Sequence, residues 1–220
     1  MDAAIPDARH GRAPRQDRSR KTLTRLVAAA EALFAERGYD GTTVGDITAR
    51  ARCSVGSFYA RFNDKESLFL HLHDQQCGQL IQRIEFLCDL FRAENASLEM
   101  MVRQTVRALF VFAGERRAMT RVFIQRSGID DAFHDRYARS WAEVHARLRP
   151  LLLARRAEIG HPDPAHAVDF ALQLIHSGWA NDVLHHRVAD ITGQQTGEAL
   201  IDDLADACLA WLGAGAKAGR

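Results

Sequence analysis

The chain has 220 residues, of which 47% are hydrophobic, and its formal net charge at pH 7 is +1. This is enough for one large or two small domains with a real core, and no apolar run is long enough to cross a membrane. The four cysteines form no CxxC pair and the Arg-rich N-terminus lacks the apolar core of a signal peptide, which argues against a disulfide scaffold and predicts a cytoplasmic protein.

Positive charge is concentrated at the N-terminal end. Residues 1–62 contain 11 basic and 7 acidic residues, a net of +4, whereas the remaining 158 residues carry a net of −3. This asymmetry predicts an anionic partner for the N-terminal end. Residues 1–18 contain four spaced arginines and two prolines without helical periodicity, so we expect a flexible basic arm there. Such an arm either only keeps the chain soluble or lies along DNA, where arginines favour the narrow minor groove.

After residue 18, apolar residues recur at helical spacing, and no segment alternates apolar and polar residues as a strand would. The first helix is predicted over residues 19–37, with Gly38 as its C-terminal cap. The last two helices are predicted over residues 163–186 and 197–212. The pattern as a whole predicts about nine helices and an all-α fold.

Two short amphipathic segments occur between residues 42 and 68, in the sequence TTVGDITARARCSVGSFYARFNDKESL. The first begins near Val44, the second has Ser54 as its N-cap, and a tight polar turn joins them. Phe58 and Phe62 lie four residues apart on one helical face and are predicted to be core residues. This arrangement indicates a helix-turn-helix that enters a DNA groove.

Ten residues in and around this motif fit the pattern of a known family. They are Phe34, Gly38, Tyr39, Thr43, Ile47, Ser54, Gly56, Tyr59, Phe62 and Lys65. On these residues the first third of the chain resembles the TetR family of bacterial transcription regulators. The resemblance implies an N-terminal three-helix DNA-binding domain and a C-terminal helical domain for ligand binding and dimerisation. Several positions depart from the family pattern: Arg52 stands where Gly is usual, Arg61 where His is usual, Thr48 where Ala is usual, and Cys53 where an aliphatic residue is usual.

The resemblance and the side-chain chemistry predict a set of DNA contacts. The predicted residues are Thr43, Arg52, Ser54, Val55, Gly56, Ser57, Tyr59, Arg61 and Lys65. Gly56 lets the third helix approach the groove closely, Ser57 can bond to a base edge, and Val55 can touch a thymine methyl group. Tyr59 and Arg61 are assigned to phosphate oxygens.

The helix ends and the turn complete this prediction. Thr43 and Lys65 stand at the starts of the second and fourth helices, whose N-terminal amides and positive dipole ends attract phosphates. Arg52 lies in the turn between the second and third helices. There it either strains the turn or supplies an additional base or phosphate contact.

The predicted domains are the arm at 1–18, the DNA-binding domain at 19–64 and the effector-binding and dimerisation domain at 65–220. The resemblance implies a homodimer held by the last two predicted helices and therefore a palindromic operator. The candidate effector-binding residues are Met101, Phe110, Trp141, His145, His176 and Trp179. Ordinary core packing is the alternative for each of them. Neither an HExxH motif nor a Cys/His cluster with metal-ligand spacing occurs, so no metal and no cofactor is expected.

Together these features predict a homodimeric transcriptional repressor that a small-molecule effector releases from a palindromic operator in double-stranded DNA. A ligand-independent regulator or an activator is the alternative, because the position of the operator relative to a promoter decides between repression and activation. An all-α enzyme with an appended helix-turn-helix is a further alternative. No nucleophile–base pair, paired carboxylates or phosphate-binding glycine loop stands out in its favour.

Overall fold

The computed structural model describes the backbone of residues 13–192 and 197–214. In these residues the chain forms nine α-helices, one 3-10 turn (Arg156–Glu158) and no strand. The helices are α1 (Ala13–Arg37), α2 (Val44–Arg50), α3 (Val55–Tyr59), α4 (Lys65–Ala93), α5 (Leu98–Glu115), α6 (Arg117–Ser127), α7 (Asp131–Ala154), α8 (Pro164–Thr192) and α9 (Glu198–Leu212). The all-α prediction is confirmed. None of the described helices has the length and apolar character needed to span a membrane.

Helix α1 begins at Ala13 and not, as predicted, at Ser19. The prediction of a flexible arm is therefore wrong for residues 13–18, whereas residues 1–12 of that arm lie outside the described residues. Pro14 favours an irregular arm in the sequence. Proline is nevertheless compatible with the first turn of a helix, because the amide hydrogen that it lacks would have no helical partner there.

The first of two compact units ends at Gln75 and contains α1, α2, α3 and the first part of α4. Its fully buried side chains include Leu26, Phe34, Ile47, Phe58 and Phe69. Phe62 is also buried, at 8% exposure, so the prediction that Phe58 and Phe62 are core residues is confirmed. Helix α2 contacts both α1 and α3, and α2 with α3 forms the helix-turn-helix. The unit ends inside α4, whereas the sequence places a domain boundary between residues 64 and 65.

The second unit is a bundle in which α8 contacts α5, α6, α7 and α9. Gly178 of α8 allows α9 to approach closely, because a Cβ atom added there would lie 2.8 Å from Cδ2 of Leu204. Near the start of α8, the indole N–H of Trp211 donates to the carbonyl oxygen of Ala167 at 3.2 Å. This bond satisfies the polar end of the ring while its apolar part packs between α8 and α9.

Ion pairs connect the helices of the second unit at its surface and in its interior. Arg103 of α5 and Asp206 of α9 approach to 2.6 Å, and both side chains are largely exposed. Arg117 of α6 and Asp182 of α8 approach to 2.8 Å, and the Asp182 side chain is only 3% exposed. A pair at the surface contributes little to stability, whereas removing one member of a buried pair is costly.

Candidate nucleic-acid interface

The N-terminus of α2 is closed by a reciprocal cap. The Thr43 hydroxyl accepts from the Asp46 backbone N–H at 3.1 Å, and the Thr43 N–H donates to the Asp46 carboxylate at 3.0 Å. Hydrogen bonds from Thr43, with Arg37 nearby, hold the pKa of Asp46 below its ordinary value. The cap occupies the Thr43 hydroxyl and also the Thr43 amide, whereas the sequence assigns the N-terminal amides of α2 to a phosphate. The phosphate contact of Thr43 stays a prediction, and it competes with this cap.

Arg52 adopts the left-handed backbone conformation, with φ of +50°, in the turn that leads to α3. This conformation costs a residue with a Cβ atom about 1–2 kcal/mol, which explains why Gly suits the position. The strained-turn alternative therefore applies to Arg52, and a DNA contact by its side chain stays a prediction. Its carbonyl oxygen accepts from the Arg25 guanidinium at 3.5 Å, so the turn also contacts α1.

Helix α3 buries one side and exposes the other. Phe58 is fully buried, whereas Val55 and Tyr59 are 49% and 55% exposed. Ser54 caps the helix, because its hydroxyl accepts from the Ser57 N–H at 3.2 Å. The hydroxyl oxygens of Ser54 and Ser57 are 2.9 Å apart. The exposed surface of α3 therefore offers an aliphatic group and a phenol, with the two hydroxyls held together at its N-terminal end.

Gly56 has no evident need to be glycine within this chain. It lies in α3 and does not have a positive φ. A Cβ atom added there would meet only the Ser54 hydroxyl, at 3.9 Å. Glycine inside a helix is about 0.5–1 kcal/mol less favourable than alanine. Its presence at an exposed position points to a partner surface that comes close to the backbone of α3.

Two cations assigned to phosphates are engaged with the protein. The Arg61 guanidinium donates to the Ser57 carbonyl at 2.8 Å and to the Ser19 hydroxyl at 2.9 Å, which joins the end of α3 to α1. The Lys65 ammonium donates to the Tyr39 carbonyl at 2.8 Å and lies 4.0 Å from the centre of the Tyr39 ring. The phosphate roles of Arg61 and Lys65 stay predictions, and each side chain has a structural role beside them.

Two contacts around this interface are absent from the sequence analysis. Ser19 binds Arg61, and Arg25 binds the carbonyl of Arg52. These partners are 42 and 27 residues apart in the chain, and no periodicity links positions so distant. The sequence also predicts Ser19 in the first turn of α1, whereas the structure places it in the second turn.

Comparison with known proteins agrees with this geometry. Residues 26–72 match the family model described as "Bacterial regulatory proteins, tetR family". Residues 26–72 are thus a TetR-family segment. The matched segment contains the helix-turn-helix and most of the residues that form the core of the first unit, and relatives in this family are named as transcriptional regulators rather than enzymes.

Relatives in sequence match this chain over its N-terminal part. The "HTH-type transcriptional repressor DhaR" of Mycobacterium sp. (strain GP1) is 42% identical over 74 residues, which are 34% of this chain and 32% of that protein. The chain thus spans about a third of the length of that relative.

Solved structures are similar over most of the chain. The fatty acid degradation regulator FadR from Bacillus halodurans has a TM-score of 0.68 at 18% identity, covering 86% of this chain and 94% of its own. A TetR family transcription regulator from Marinobacter aquaeolei VT8 has a TM-score of 0.64 at 19% identity, covering 90% and 98%. At these identities the likeness shows a shared fold.

In the second unit, three predicted effector residues lie together. The ring centre of Trp141 is 4.1 Å from that of His176 and 4.8 Å from that of Trp179. Tyr137, which the sequence analysis missed, lies 6.2 Å from His176. Its position four residues before Trp141 on α7 is the signal that would have found it. We call Tyr137, Trp141, His176 and Trp179 the aromatic cluster.

His176 is the polar member of the aromatic cluster that retains an open hydrogen-bonding position. Its Nε2 atom is buried and has no hydrogen-bond partner in the described part of the chain. Burial, with a smaller effect of His145, lowers the pKa of His176 to about 4, so the ring is neutral at pH 7. The Trp179 N–H is already bound to the Leu109 carbonyl at 3.1 Å. A buried polar atom without a partner costs about 1–3 kcal/mol, and a ligand with a polar group would remove this cost.

The remaining effector candidates have other surroundings. Met101 and Phe110 are 3% and 6% exposed and belong to the hydrophobic core, so core packing accounts for them. His145 is half-buried; burial lowers its pKa, while the Asp169 carboxylate acts in the opposite direction. Within the described residues, no group of three or more His, Cys, Asp or Glu side chains is placed to hold a metal ion.

Proposed function

We propose that this TetR-family protein is a cytoplasmic, homodimeric transcriptional repressor that leaves a palindromic operator when a small molecule binds its second unit. The observation that carries the proposal is the exposed surface of α3. Val55 and Tyr59 are about half exposed there, and Gly56 between them has no reason within the chain to lack a side chain. A surface of this kind fits the floor of the major groove.

The proposed contacts divide into base readout and backbone contact. Val55 lies against a thymine methyl group, and the close approach at Gly56 brings the backbone of α3 to the base edges. Tyr59 donates its hydroxyl to a phosphate oxygen. Two copies of α3 read half-sites about one helical turn apart, so the operator is palindromic.

The proposed dimer uses the outer faces of α8 and α9. Phe170 of α8 is 39% exposed, and Ser177 and Asn181 follow it on the same face at spacings of seven and eleven residues. On α9, Ala207 and Ala210 are exposed. Small side chains beside an exposed aromatic ring let two helix pairs approach closely, and an exposed ring of this kind is stabilised when a partner covers it.

The proposed effector binds beside the aromatic cluster. Two indole rings and a neutral imidazole favour an uncharged aromatic molecule, and the open Nε2 of His176 favours one with a polar group. The effector binds more tightly to the form whose two helix-turn-helix motifs do not match the operator. A difference of about 1–3 kcal/mol in its affinity for the two forms is typical of such coupling.

Selection of genomic DNA fragments by the purified full-length protein tests the DNA-binding part. We expect a palindromic consensus. Tyr59→Phe should weaken binding to all sequences alike because it removes a phosphate contact, whereas Val55→Ala should relax the base preference at one position of each half-site. Enrichment of no sequence, or of a site without two-fold symmetry, would contradict the proposal. Transcription that rises when the protein binds would make it an activator.

Release from the selected operator tests the effector part. Uncharged aromatic compounds bearing a hydroxyl or amide group are screened for release, with fatty acids and quaternary ammonium compounds as charged comparisons. We expect aromatic hits whose effect is lost in His176→Gln and retained in His134→Gln, since His134 is exposed on α7. Release by charged compounds only, or equal release from both variants, would contradict the assignment of the aromatic cluster.

A further inference from the structure

We propose that three cations of α1, namely Arg18, Lys21 and Arg25, form a second phosphate-binding surface beside the helix-turn-helix. We call these three residues the basic stripe. The inference rests on the proposed DNA binding and adds a contact surface that lies outside α2, α3 and the start of α4. It assigns to these residues the sugar-phosphate backbone of DNA and no base.

Helix α1 contacts the segments on either side of α3. At one end, the Ser19 hydroxyl accepts from Arg61, two residues after the last residue of α3. At the other end, the Arg25 guanidinium donates to the carbonyl of Arg52, which lies in the turn before α3. The segment from Ser19 to Arg25 therefore runs alongside α3, and DNA that binds α3 lies near this part of α1.

The basic stripe follows one face of α1. Its members are spaced at three and four residues, which places them on the same side of a helix. Leu26, which is fully buried, points about a quarter turn away from that side. The stripe is therefore exposed along its length and ends at Arg25, at the helix-turn-helix turn.

The charges of the stripe are not compensated within the described residues. Neither Arg18 nor Lys21 has an acidic side chain within ion-pair distance there, and Arg25 donates only to a carbonyl and a hydroxyl. Three other arginines of the first unit are paired: Arg20 is 3.2 Å from Asp17, Arg37 is 3.6 Å from Asp46, and Arg50 is 2.6 Å from Glu36. Three neighbouring cations on an exposed face, without an acidic partner in the described residues, attract an anionic polymer.

The dimensions of the stripe fit a DNA strand. Arg18 and Arg25 are seven residues apart, which is about 10 Å along a helix at 1.5 Å per residue. Successive phosphates of one strand advance about 3.4 Å along the DNA axis, so the stripe spans about three nucleotides. Its side chains are long and flexible cations that meet phosphates without reading bases, and the stripe therefore adds affinity and not sequence preference.

Salt dependence of DNA binding tests the proposal. The full-length protein and its Arg18→Ala/Lys21→Ala variant are titrated onto the selected operator, carried in DNA that extends several base pairs beyond it, at a series of salt concentrations. The slope of log K against log salt should become shallower by about 0.9 for each lost phosphate contact, hence by about 2 for each bound copy of the chain. The consensus sequence should not change.

Arg20→Ala is the matched control. Arg20 is an equally exposed cation in the same two turns of α1, but it lies on the opposite flank and is paired with Asp17. We expect this variant to keep the wild-type slope. Alanine favours helices, so circular dichroism should show that α1 is retained in both variants.

The outcomes separate the two proposals. If the wild-type protein binds its operator and the double variant keeps the same slope, the basic stripe is not a phosphate surface, and the proposed function stands. An equal loss of slope in Arg20→Ala would also overturn the assignment, because general charge would then explain the effect. If the wild-type protein binds no DNA, both the proposed function and this inference fail.

Discussion

The guanidinium of Arg61 donates to the hydroxyl of Ser19 at 2.9 Å and to its carbonyl oxygen at 3.1 Å. A third bond, to the Ser57 carbonyl at 2.8 Å, fixes the same side chain to α3. One planar cation therefore fastens α1 to the C-terminal end of α3. An ammonium group could not make these bonds with the same geometry, because the donors of the guanidinium fork are rigidly spaced.

Arg61→Ala should loosen α1 rather than only weaken phosphate binding. Bonds from a charged donor contribute about 1–2 kcal/mol here, so amide hydrogens of residues 15–24 should exchange about 5–30-fold faster in the free protein. Hydrogen exchange followed by mass spectrometry measures this, and Arg61→Lys should recover little of the protection. Unchanged exchange together with a shallower salt dependence of DNA binding would instead make Arg61 a plain phosphate ligand.

Gly56→Ala should stabilise the protein and impair DNA binding at the same time. In the free protein the added methyl group meets only the Ser54 hydroxyl, at an ordinary contact distance of 3.9 Å, and replacing glycine in a helix gains about 0.5–1 kcal/mol in the free energy of unfolding. In the complex the same methyl group lies where the DNA comes close to the backbone of α3. The affinity for DNA should therefore fall on the order of tenfold, or about 1.4 kcal/mol. Gly78→Ala, at an open helical position of α4, should stabilise without this loss. Undiminished operator affinity in Gly56→Ala would remove the argument from close approach.

Arg52→Gly should raise the free energy of unfolding by about 1 kcal/mol, because glycine adopts the φ of +50° without the crowding of a Cβ atom. Arg52→Ala keeps that crowding and should not stabilise. Urea titrations of the two variants measure the difference. Both variants lack the guanidinium, so an equal loss of operator affinity would assign Arg52 to a DNA contact. Unchanged affinity in both variants would mean that Arg52 strains the turn and does not contact DNA.

The features that the sequence predicts well are local ones. The N-caps of α2 and α3, the turn at Arg52 and the core positions of Phe58 and Phe62 depend on residues at most a few positions apart. Their side-chain chemistry and spacing are sufficient to define them. The structure brings Trp141, His176 and Trp179 together although α7 and α8 are separate in the chain, and their role in effector binding stays a prediction.

The features that the sequence misses depend on distant contacts. The sequence does not predict the start of α1 correctly, because Pro14 is compatible both with an arm and with a first helical turn. The Arg61 side chain looks like a free cation until the structure brings Ser19 beside it. Lys65 likewise meets the carbonyl and ring of Tyr39, 26 residues earlier. For such residues, residue type and spacing indicate a phosphate ligand, whereas tertiary contacts add a structural role.

The stability of the second unit should fall in mild acid because of His176. The unfolded chain binds a proton on this residue below its ordinary pKa of 6.5, whereas the folded protein excludes it down to about pH 4. The contribution of His176 to the free energy of unfolding is therefore complete above pH 6.5 and is lost as the pH falls from 6.5 toward 4. After allowance for partial exposure of the ring, this contribution amounts to about 2 kcal/mol.

Tryptophan fluorescence measures this effect in the right part of the molecule, because all three tryptophans lie in the second unit. Urea titrations at pH 7 and pH 5 should differ less in His176→Gln than in the wild-type protein. The same titrations of His145→Gln show how much of the difference between the two pH values comes from His145, because burial lowers the pKa of that residue as well. If His176→Gln keeps the full wild-type difference between the two pH values, another group is responsible.

The buried pair of Arg117 and Asp182 should respond unequally to loss of its two members. Arg117→Ala removes the Arg117 cation from the Asp182 carboxylate, which is only 3% exposed, and we expect a loss of about 3 kcal/mol. Asp182→Ala leaves Arg117, whose side chain is 31% exposed and can turn to water, so the loss should be smaller. The double variant should be more stable than Arg117→Ala alone, because the buried Asp182 carboxylate is then absent. Urea unfolding of all four proteins, monitored by tryptophan fluorescence, gives the coupling energy, which should be about 1–3 kcal/mol. Additive losses would mean that the two side chains stabilise α6 and α8 independently.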